Sequence, residues 1–226
     1  MSENRVLLIA CEMLRDELLL AMERTQVRPE IIWLEKGLHD RPERLRNVLQ
    51  ETIDAASKAY DTILLGVAYC GGALDGIRSG EARLAVPRFD DCIRMLLSTK
   101  PGESAADCRS MYFTRQWMIS DCYIVREFEE YCRTYGERRG KRIIQAMIRN
   151  YRELRLLDSG AFDVPPYEAQ LAEDAAALGL KHRVQTGSVR VLEKLLRQQF
   201  DDEFFVLPPG EVLTQRQFFA WDKRGI

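Results

Sequence analysis

The sequence predicts an α/β protein in which Rossmann-like parallel sheets are flanked by helices. Short apolar runs alternate with segments of helical periodicity, which is the pattern of βαβ units. The predicted strands are followed by stretches long enough for crossover helices, as parallel strands require. One clear loop covers residues 100–107 and contains the turn pair Pro101-Gly102. We therefore expect an N-terminal α/β half over residues 1–100 and a similar-sized C-terminal α/β half over residues 108–226, packed as one body.

The N-terminal half contains four predicted strands. The first is a continuous apolar run, which is typical of a strand that is buried on both faces. After the second strand, Asp40 suits a helix N-cap and Pro42 falls in the first helical turn. Asp90 or Asp91 suits the N-cap of a later helix. The strands are predicted at Val6–Ala10, Ile31–Leu34, Thr62–Val67 and Arg83–Val86, and the helices at Glu12–Glu23, after Asp40, after Cys70 and at Asp91–Leu97.

The C-terminal half repeats this alternation of strands and helices. After Pro208-Pro209-Gly210 we expect a tail whose aromatic side chains, Phe218, Phe219 and Trp221, pack on the body of the protein or on a partner. The strands are predicted near Ser110–Phe113, Arg155–Leu157, Lys181–Gln185 and Phe204–Leu207, and the helices at Tyr123–Tyr135, Arg138–Tyr151, Pro166–Leu178 and Val189–Phe200.

Composition and charge exclude several classes of function. The 226 residues include 33 basic and 35 acidic side chains, so the formal net charge of −2 gives no overall field that would attract nucleic acid or an anionic membrane. No signal-peptide pattern precedes the first strand, and no apolar run approaches the roughly 18 residues of a membrane-spanning helix. We expect a cytoplasmic protein whose six cysteines are free thiols or metal ligands.

Three of the cysteines follow predicted strands. Cys11, Cys70 and Cys92 each lie at a strand-to-helix junction. Because the loops after parallel strands meet at one edge of a sheet, these thiols can meet in space. A helix N-terminus also lowers the pKa of a thiol, which favours metal ligation. Each of these three cysteines could instead fill space at a packed junction. We interpret the other three cysteines of the chain in that way. For the set at equivalent junctions, the sequence favours a metal site.

The donor atoms suit two kinds of metal centre, an iron–sulfur cluster or zinc, because soft thiolates select both. Three protein ligands would leave one coordination position open, as catalysis requires. Three cysteines alone favour a [4Fe–4S] cluster with one free iron, whereas the addition of His39 favours zinc. His39 lies in a strand-to-helix loop, where it could be a ligand, a general acid or base, or a partner that caps the turn.

Four further residues flank the predicted thiol site. Arg88 could bind the carboxylate or phosphate of a small anionic molecule, because its planar guanidinium matches either group. Asp91 is available for proton transfer if Asp90 is the helix cap. Gly71 and Gly72 allow close backbone approach and could form an anion-binding cofactor site. The pair matches neither the dinucleotide-binding nor the P-loop pattern, and no Gly-x-Ser-x-Gly elbow of an α/β-hydrolase is present.

With these residues in place, the chain resembles a bacterial and archaeal family catalogued as domain of unknown function 1638. The resemblance implies that Cys11, His39, Cys70, Arg88, Asp91 and Cys92 match recurring motifs of the family. It also implies a link to one-carbon or methyl-transfer metabolism, because similar proteins are encoded near corrinoid-dependent methyltransferases. A departure at Val67–Tyr69 and Gly71–Ala73 indicates a subgroup with altered substrate choice. The matching segments are Ile9–Glu12, Gly37–Glu43, Gly66–Gly72, Val86–Ile93, Leu157–Gly160 and Val206–Gly210.

These observations lead to three functional hypotheses. We expect a metal-binding enzyme or accessory protein in which Arg88 orients an anionic substrate and His39 or Asp91 moves a proton. The first alternative is a non-catalytic carrier or binding partner for a corrinoid methyltransferase system. The second is a metal-free thiol enzyme with a nucleophilic cysteine that His39 assists.

Overall fold

The computed structural model of the protein describes residues 4–103 and 106–219. It confirms the predicted fold class, since the described residues form an α/β protein with two mostly parallel sheets, of five and three strands, flanked by helices. The described residues divide into two compact units, of which the larger comprises residues 4–103 and 188–219 and the smaller comprises residues 106–187. The segment from residue 188 onward, which the sequence pattern assigned to the C-terminal half, thus groups with the N-terminal residues.

Each predicted strand is present in the structure. In chain order the strands are β1 (Val6–Cys11), β2 (Glu30–Leu34), β3 (Thr62–Gly66), β4 (Arg83–Pro87), β5 (Ser110–Phe113), β6 (Glu153–Asp158), β7 (Lys181–Thr186) and β8 (Phe204–Leu207).

Nine helices accompany these strands in the described residues. They are α1 (Arg15–Thr25), α2 (Pro42–Ala56), α3 (Cys92–Leu97), α4 (Arg115–Met118), α5 (Ile124–Tyr135), α6 (Glu137–Ile148), α7 (Val164–Leu178), α8 (Arg190–Leu196) and α9 (Gln215–Phe219). The sequence did not predict α4 and α9, because such short helices carry little periodicity. Single 3₁₀ turns lie at Glu12–Leu14, Leu38–Asp40 and Cys70–Gly72. Within the described ranges, no helix combines the length and the apolar character that crossing a bilayer requires.

The larger unit is built on a five-stranded sheet with the order β2-β1-β3-β4-β8. The first four strands are parallel, and β8 pairs antiparallel with β4, so that Leu84 faces Leu207. The sequence located β8 but not its direction, because a short apolar run carries no sign of strand polarity. The parallel order places the carboxyl ends of β1, β3 and β4 side by side.

The core of the larger unit explains why its strands read as continuous apolar runs. Leu7 and Leu8, which point to opposite faces of β1, are both fully buried. Buried apolar residues of α2 cover one of these faces. This helix begins with Pro42 in its first turn, as predicted. Gly66 allows β3 to lie close to β1, because an added Cβ there would be 2.8 Å from the Cβ of Ala10. The packing therefore fixes the spacing between these two strands.

The smaller unit has a parallel sheet with the order β5-β6-β7. Its core includes Phe113 of β5, Leu154 and Leu156 of β6, and apolar residues of α5, α6 and α7. The buried Tyr123 hydroxyl donates a hydrogen bond to Asp174 at 2.6 Å. This unit therefore has a hydrophobic core of its own.

Candidate functional site

The three predicted metal ligands all lie at the carboxyl edge of the larger sheet. Cys11 is the last residue of β1, Cys70 follows the neighbouring strand β3, and Cys92 is the first residue of α3 after β4. Two backbone hydrogen bonds tie the loops after β3 and β4 together. Tyr69 N–H donates to Phe89 O at 3.0 Å, and Cys70 N–H donates to Asp90 O at 2.8 Å. Adjacent strands and this bridge hold the three cysteine segments next to one another.

The Cys70 thiol is the centre of this edge. Its sulfur receives hydrogen bonds from the backbone of Ala68 and of Cys92. Burial raises the pKa of Cys70 to about 12, and repulsion from a charged Cys11 and from Asp91 acts in the same direction. The two backbone hydrogen bonds lower this pKa without offsetting burial. Cys70 is therefore protonated at neutral pH unless a cation approaches it.

The Cys92 thiol has four acidic groups among its neighbours. Burial raises its pKa well above the ordinary value, and charges on Cys70, Cys11, Asp91 and Glu17 raise it further. The side chain of Glu17 is fully buried on α1. These acidic groups are close enough to repel one another, so they cannot all ionise without a compensating positive charge.

Cys11 has a more balanced environment. Burial and the neighbouring Glu12 raise its pKa, whereas a hydrogen bond from the backbone of Met13 and the positive charge of Lys36 lower it. The net effect is a raised pKa. Cys11 and Cys70 also pack against the same hydrophobic core cluster, on the side of the sheet that α2 covers. The three thiols are thus coupled electrostatically, and two of them share one apolar wall.

The arrangement is not a formed coordination shell. Among residues 4–103 and 106–219, no group of three or more His, Cys, Asp or Glu side chains stands where it could hold a metal ion. All six cysteines are free, so none of the three thiols is part of a disulfide. The donor chemistry fits a soft metal, but the sulfur atoms would have to move together to enclose one.

His39 lies on the 3₁₀ turn between β2 and α2, next to the strand that ends at Cys11. Its Nε2 is 3.2 Å from Oδ1 of Asp40, and 23 % of the His39 side chain is exposed. The neighbouring carboxylate orients the imidazole. This placement is compatible with proton transfer at the carboxyl edge, and it leaves the choice between ligand, acid–base and capping roles open.

Arg88 is held against an aromatic stack. The guanidinium carbon lies 3.7 Å from the centroid of the Phe205 ring, and the Arg88 backbone N–H donates to Glu203 O at 2.8 Å. The stack continues from Phe205 to Phe218 and from Phe218 to Tyr69, with centroid separations of 5.4 and 4.4 Å. The predicted packing of Phe218 on the body is therefore confirmed, while Trp221 lies outside the described residues.

Asp91 is the N-cap of α3, since its Oδ1 accepts a hydrogen bond from Arg94 N–H at 2.7 Å. The sequence predicted that either Asp90 or Asp91 fills this role, and the structure identifies Asp91. The cap uses one carboxylate oxygen of Asp91. Asp90 instead lies 3.5 Å from Nε of Arg94.

The loop after β3 adopts an unusual backbone conformation. Cys70, Gly71 and Gly72 have φ values of +44°, +67° and +95°. A left-handed conformation is costly for cysteine, which marks the segment as one whose shape is imposed by its surroundings. The Gly72 carbonyl accepts a hydrogen bond from Arg46 Nη2 at 2.8 Å, so this arginine fixes the loop from α2.

Three residues at this edge escaped the sequence analysis, namely Glu17, Lys36 and Arg46. For Glu17 a signal was present, because it shares the buried helical stripe of Leu14, Leu18 and Ala21. A carboxylate at such a position requires a polar environment in the core. Lys36 and Arg46 act across the fold on Cys11 and Gly72 respectively, and no local pattern announces either interaction.

Comparison with known proteins gives one finding. A family model described as "Protein of unknown function (DUF1638)" matches residues 33–196, which is more than half of the chain. The match includes His39, Cys70, Arg88, Asp91 and Cys92, whereas Cys11 lies before it. No curated protein and no solved structure matches the chain.

Proposed function

The chain belongs to the DUF1638 family, and we propose that it binds a thiophilic metal centre, zinc or an iron–sulfur cluster, through Cys11, Cys70 and Cys92. The observation that carries this proposal is the backbone bridge between the loops after β3 and β4. Beside this bridge, the Cys70 sulfur accepts a hydrogen bond from the Cys92 backbone, and Cys11 is the last residue of the adjacent strand. The position of three soft donors in neighbouring segments of one sheet edge supports the proposal.

Charge supports the proposal. Three partly buried thiols with the buried carboxylate of Glu17 nearby oppose any further negative charge. A metal cation would reverse this opposition, because each thiolate would then be stabilised and its proton released to solvent. Since the sulfur atoms do not form a shell as they stand, binding would draw the three loops together. Three ligands would leave a position at which the metal can act as a Lewis acid when it is bound.

The proposed role is that of an enzyme or accessory protein in one-carbon or methyl-transfer metabolism, with a corrinoid methyltransferase as a partner. Family resemblance supports this role. Arg88 is the proposed binding residue for a small anionic substrate, and His39 is the proposed proton carrier. Asp91 is the weaker proton carrier, because its Oδ1 is used as the helix cap. A reducing cytoplasm suits six free cysteines.

The metal-free nucleophile is less well supported. With a pKa of about 12, Cys70 would be ionised in only about one molecule in 10⁵ at pH 7. Cys92 has a pKa raised in the same direction. The environment of an activated thiol is electropositive, whereas negative groups predominate around Cys92. A carrier that delivers its metal or corrinoid to a methyltransferase would use the same thiols, and would form a stable complex without turnover of its own.

The metal content of the anaerobically purified full chain tests the proposal. We expect either about one zinc per chain or the broad visible absorbance of an iron–sulfur cluster, and this distinguishes the two centres. Substitution of Cys70→Ser, Cys11→Ser or Cys92→Ser should lower the retained metal at least about tenfold. The matched control is Cys108→Ser, because Cys108 is exposed and belongs to the smaller unit.

Two results would contradict the proposal. One is a wild-type protein that takes up neither metal, either as purified or after anaerobic reconstitution with zinc or with iron and sulfide. The other is full metal retention in both Cys11→Ser and Cys92→Ser. Circular dichroism of each variant separates loss of a ligand from loss of the fold.

A further inference from the structure

The C-terminal segment of the larger unit reaches the carboxyl edge of the sheet through one aromatic side chain. Residues 210–215 lie beside residues 75–80, and backbone hydrogen bonds join the two segments. The helix α9 follows, and Gln215 N–H at its start donates to Asp75 Oδ1 at 2.6 Å. The side chains that precede Phe218 in this helix are exposed, whereas Phe218 is 5 % exposed. Among the described side chains of α9, Phe218 is therefore the one that anchors the helix.

The Phe218 ring contacts two other rings. Its centroid is 4.4 Å from that of Tyr69 and 5.4 Å from that of Phe205. Tyr69 immediately precedes Cys70 in the loop after β3. Phe205 supports the guanidinium of Arg88, whose carbon is 3.7 Å from the ring centroid. One side chain thus joins the loop that holds Cys70 to the residue that is proposed to bind an anion.

Tyr69 transmits the contact with Phe218 to the Cys70 loop. Its carbonyl accepts hydrogen bonds from Gly72 N–H at 3.2 Å and from Ala73 N–H at 2.9 Å. Its ring lies beside the same loop, since a Cβ added to Gly72 would be 3.9 Å from the ring. Cys70, with a φ of +44°, lies within this turn, and a left-handed cysteine persists only where its surroundings fix it. The backbone and the ring of Tyr69 both belong to those surroundings.

We propose that Phe218 is a positioning residue for the carboxyl edge of the larger sheet. Its ring holds Tyr69 and thereby keeps the Cys70 loop closed, so the C-terminal segment controls access to the Cys70 thiol. A loop of this kind opens by local unfolding, and the loss of one anchoring contact makes the opening more frequent. That the opening admits a metal rests on the function proposed above.

Alkylation of the metal-free full chain with iodoacetamide tests this inference. Mass spectrometry of the labelled peptides gives the labelling rate of each cysteine, which depends on how often its thiol is exposed. Phe218→Leu removes the ring and keeps an apolar side chain. It should speed the labelling of Cys70 at least tenfold, while the labelling of Cys108, which is exposed and belongs to the smaller unit, stays unchanged.

The matched control is Leu213→Ala, which removes a buried apolar side chain from the same segment and the same core cluster without removing a ring. Urea denaturation gives the stability that each variant loses. We expect Leu213→Ala to speed the labelling of Cys70 less than threefold. Labelling that rises in both variants in proportion to the lost stability would overturn the proposal, as would unchanged labelling of Cys70 in Phe218→Leu.

A milder variant decides the question if Phe218→Leu does not fold. Asp75→Ala removes the acceptor of Gln215 N–H and so loosens α9 through a partly exposed side chain. It should speed the labelling of Cys70 at least threefold, and unchanged labelling would overturn the proposal. Because no metal is present in this assay, its outcome is separate from that of the metal analysis. A chain that binds no metal but shows the selective rise at Cys70 would contradict the proposed function and support the role of Phe218.

Discussion

Two buried polar clusters in the larger unit differ in how their charges are arranged. Around the thiols of Cys11, Cys70 and Cys92, negative groups predominate, and the pKa of each thiol is raised. Around Glu203, by contrast, positive and negative groups alternate. Glu203 accepts hydrogen bonds at 2.6 Å from both terminal nitrogens of Arg190 and at 2.7 Å from Lys194.

The pKa values record this difference. Burial alone would raise the pKa of Glu203, but the hydrogen bonds from Arg190 and Lys194 outweigh burial and lower it. Burial would lower the pKa of Lys194, and its bonds to Asp201 and Glu203 raise it instead. The cluster around Glu203 therefore stabilises its own charged state and needs no further ligand. Around the thiols, the positive charge of Lys36 lowers the pKa of Cys11 but does not offset burial. Perturbed groups of this kind are characteristic of functional sites.

The largest effect is expected when the compensated cluster is broken. Glu203→Gln keeps the side-chain shape but leaves Arg190 and Lys194 without their shared carboxylate, which is only 6 % exposed. We expect the free energy of unfolding to fall by about 3 kcal/mol, because the partly buried Arg190 loses the carboxylate that pairs with it, while Lys194 keeps its pair with Asp201. Urea denaturation measures this change.

The control for that variant is Glu130→Gln, which removes an exposed partner of Arg133. Because solvent screens this pair, no measurable loss of stability is expected. Equal effects of the two substitutions would show that compensation within the buried cluster does not matter.

A smaller effect is expected at the strand contact beneath the thiol edge. Gly66→Ala would place a Cβ 2.8 Å from the Cβ of Ala10, and both residues lie in buried strands. We expect a loss of about 1–3 kcal/mol from overpacking, measured by urea denaturation. Separation of β1 from β3 should also move Cys11 away from Cys70 and lower metal retention. Full metal retention in a destabilised variant would indicate that the spacing of these strands does not control the site.

The smallest of the stability effects concerns alkaline pH. A thiol with a raised pKa holds its proton more tightly in the folded chain. Its stabilisation is complete below the unfolded pKa of about 8.5 and is lost as pH rises toward the folded value, which is about 12 for Cys70. In metal-free protein, wild type should lose about 1 kcal/mol more than Cys70→Ser between about pH 8 and about pH 9.5.

The cluster around Glu203 determines how stability changes at acidic pH. The pKa values of Glu203 and Asp201 are lower in the folded chain than in the unfolded chain. The two carboxylates therefore stabilise the fold above their unfolded pKa values of about 4, and this stabilisation is lost as pH falls through the folded pKa values. Denaturation at a series of pH values measures both limits, and Cys70→Ser should change only the alkaline one. An identical alkaline loss in wild type and Cys70→Ser would contradict the raised pKa of this thiol.

The sequence predicts features that depend on contacts between residues close together in the chain, and it misses features that depend on contacts between distant segments. The position of Cys11 at the end of β1 and the capping role near Asp91 depend on neighbouring residues, so local patterns found them. The antiparallel pairing of β8 with β4 and the stacking of Arg88 on Phe205 join distant segments. No periodicity encodes such pairings, because they arise only when the sheet assembles.

The same distinction applies within the candidate site. Topology rules brought three cysteines to one edge, but the electrostatic coupling among them depends on burial depth and on Glu17. The fixed loop of Cys70 and its contact with the Cys92 backbone likewise depend on the bridge to Asp90. Sequence patterns do not predict these features, because they depend on distances between three segments that are far apart in the chain.

X-ray absorption spectroscopy at the metal edge of the anaerobically prepared chain tests the central claim most directly. We expect three protein sulfur neighbours at about 2.3 Å from zinc. For an iron–sulfur cluster, Cys70→Ser removes one of the three cysteine sulfurs, so the number of sulfur neighbours at iron should fall. A shell of nitrogen and oxygen alone, or the same sulfur shell in wild type and Cys70→Ser, would contradict a metal centre held by these thiols.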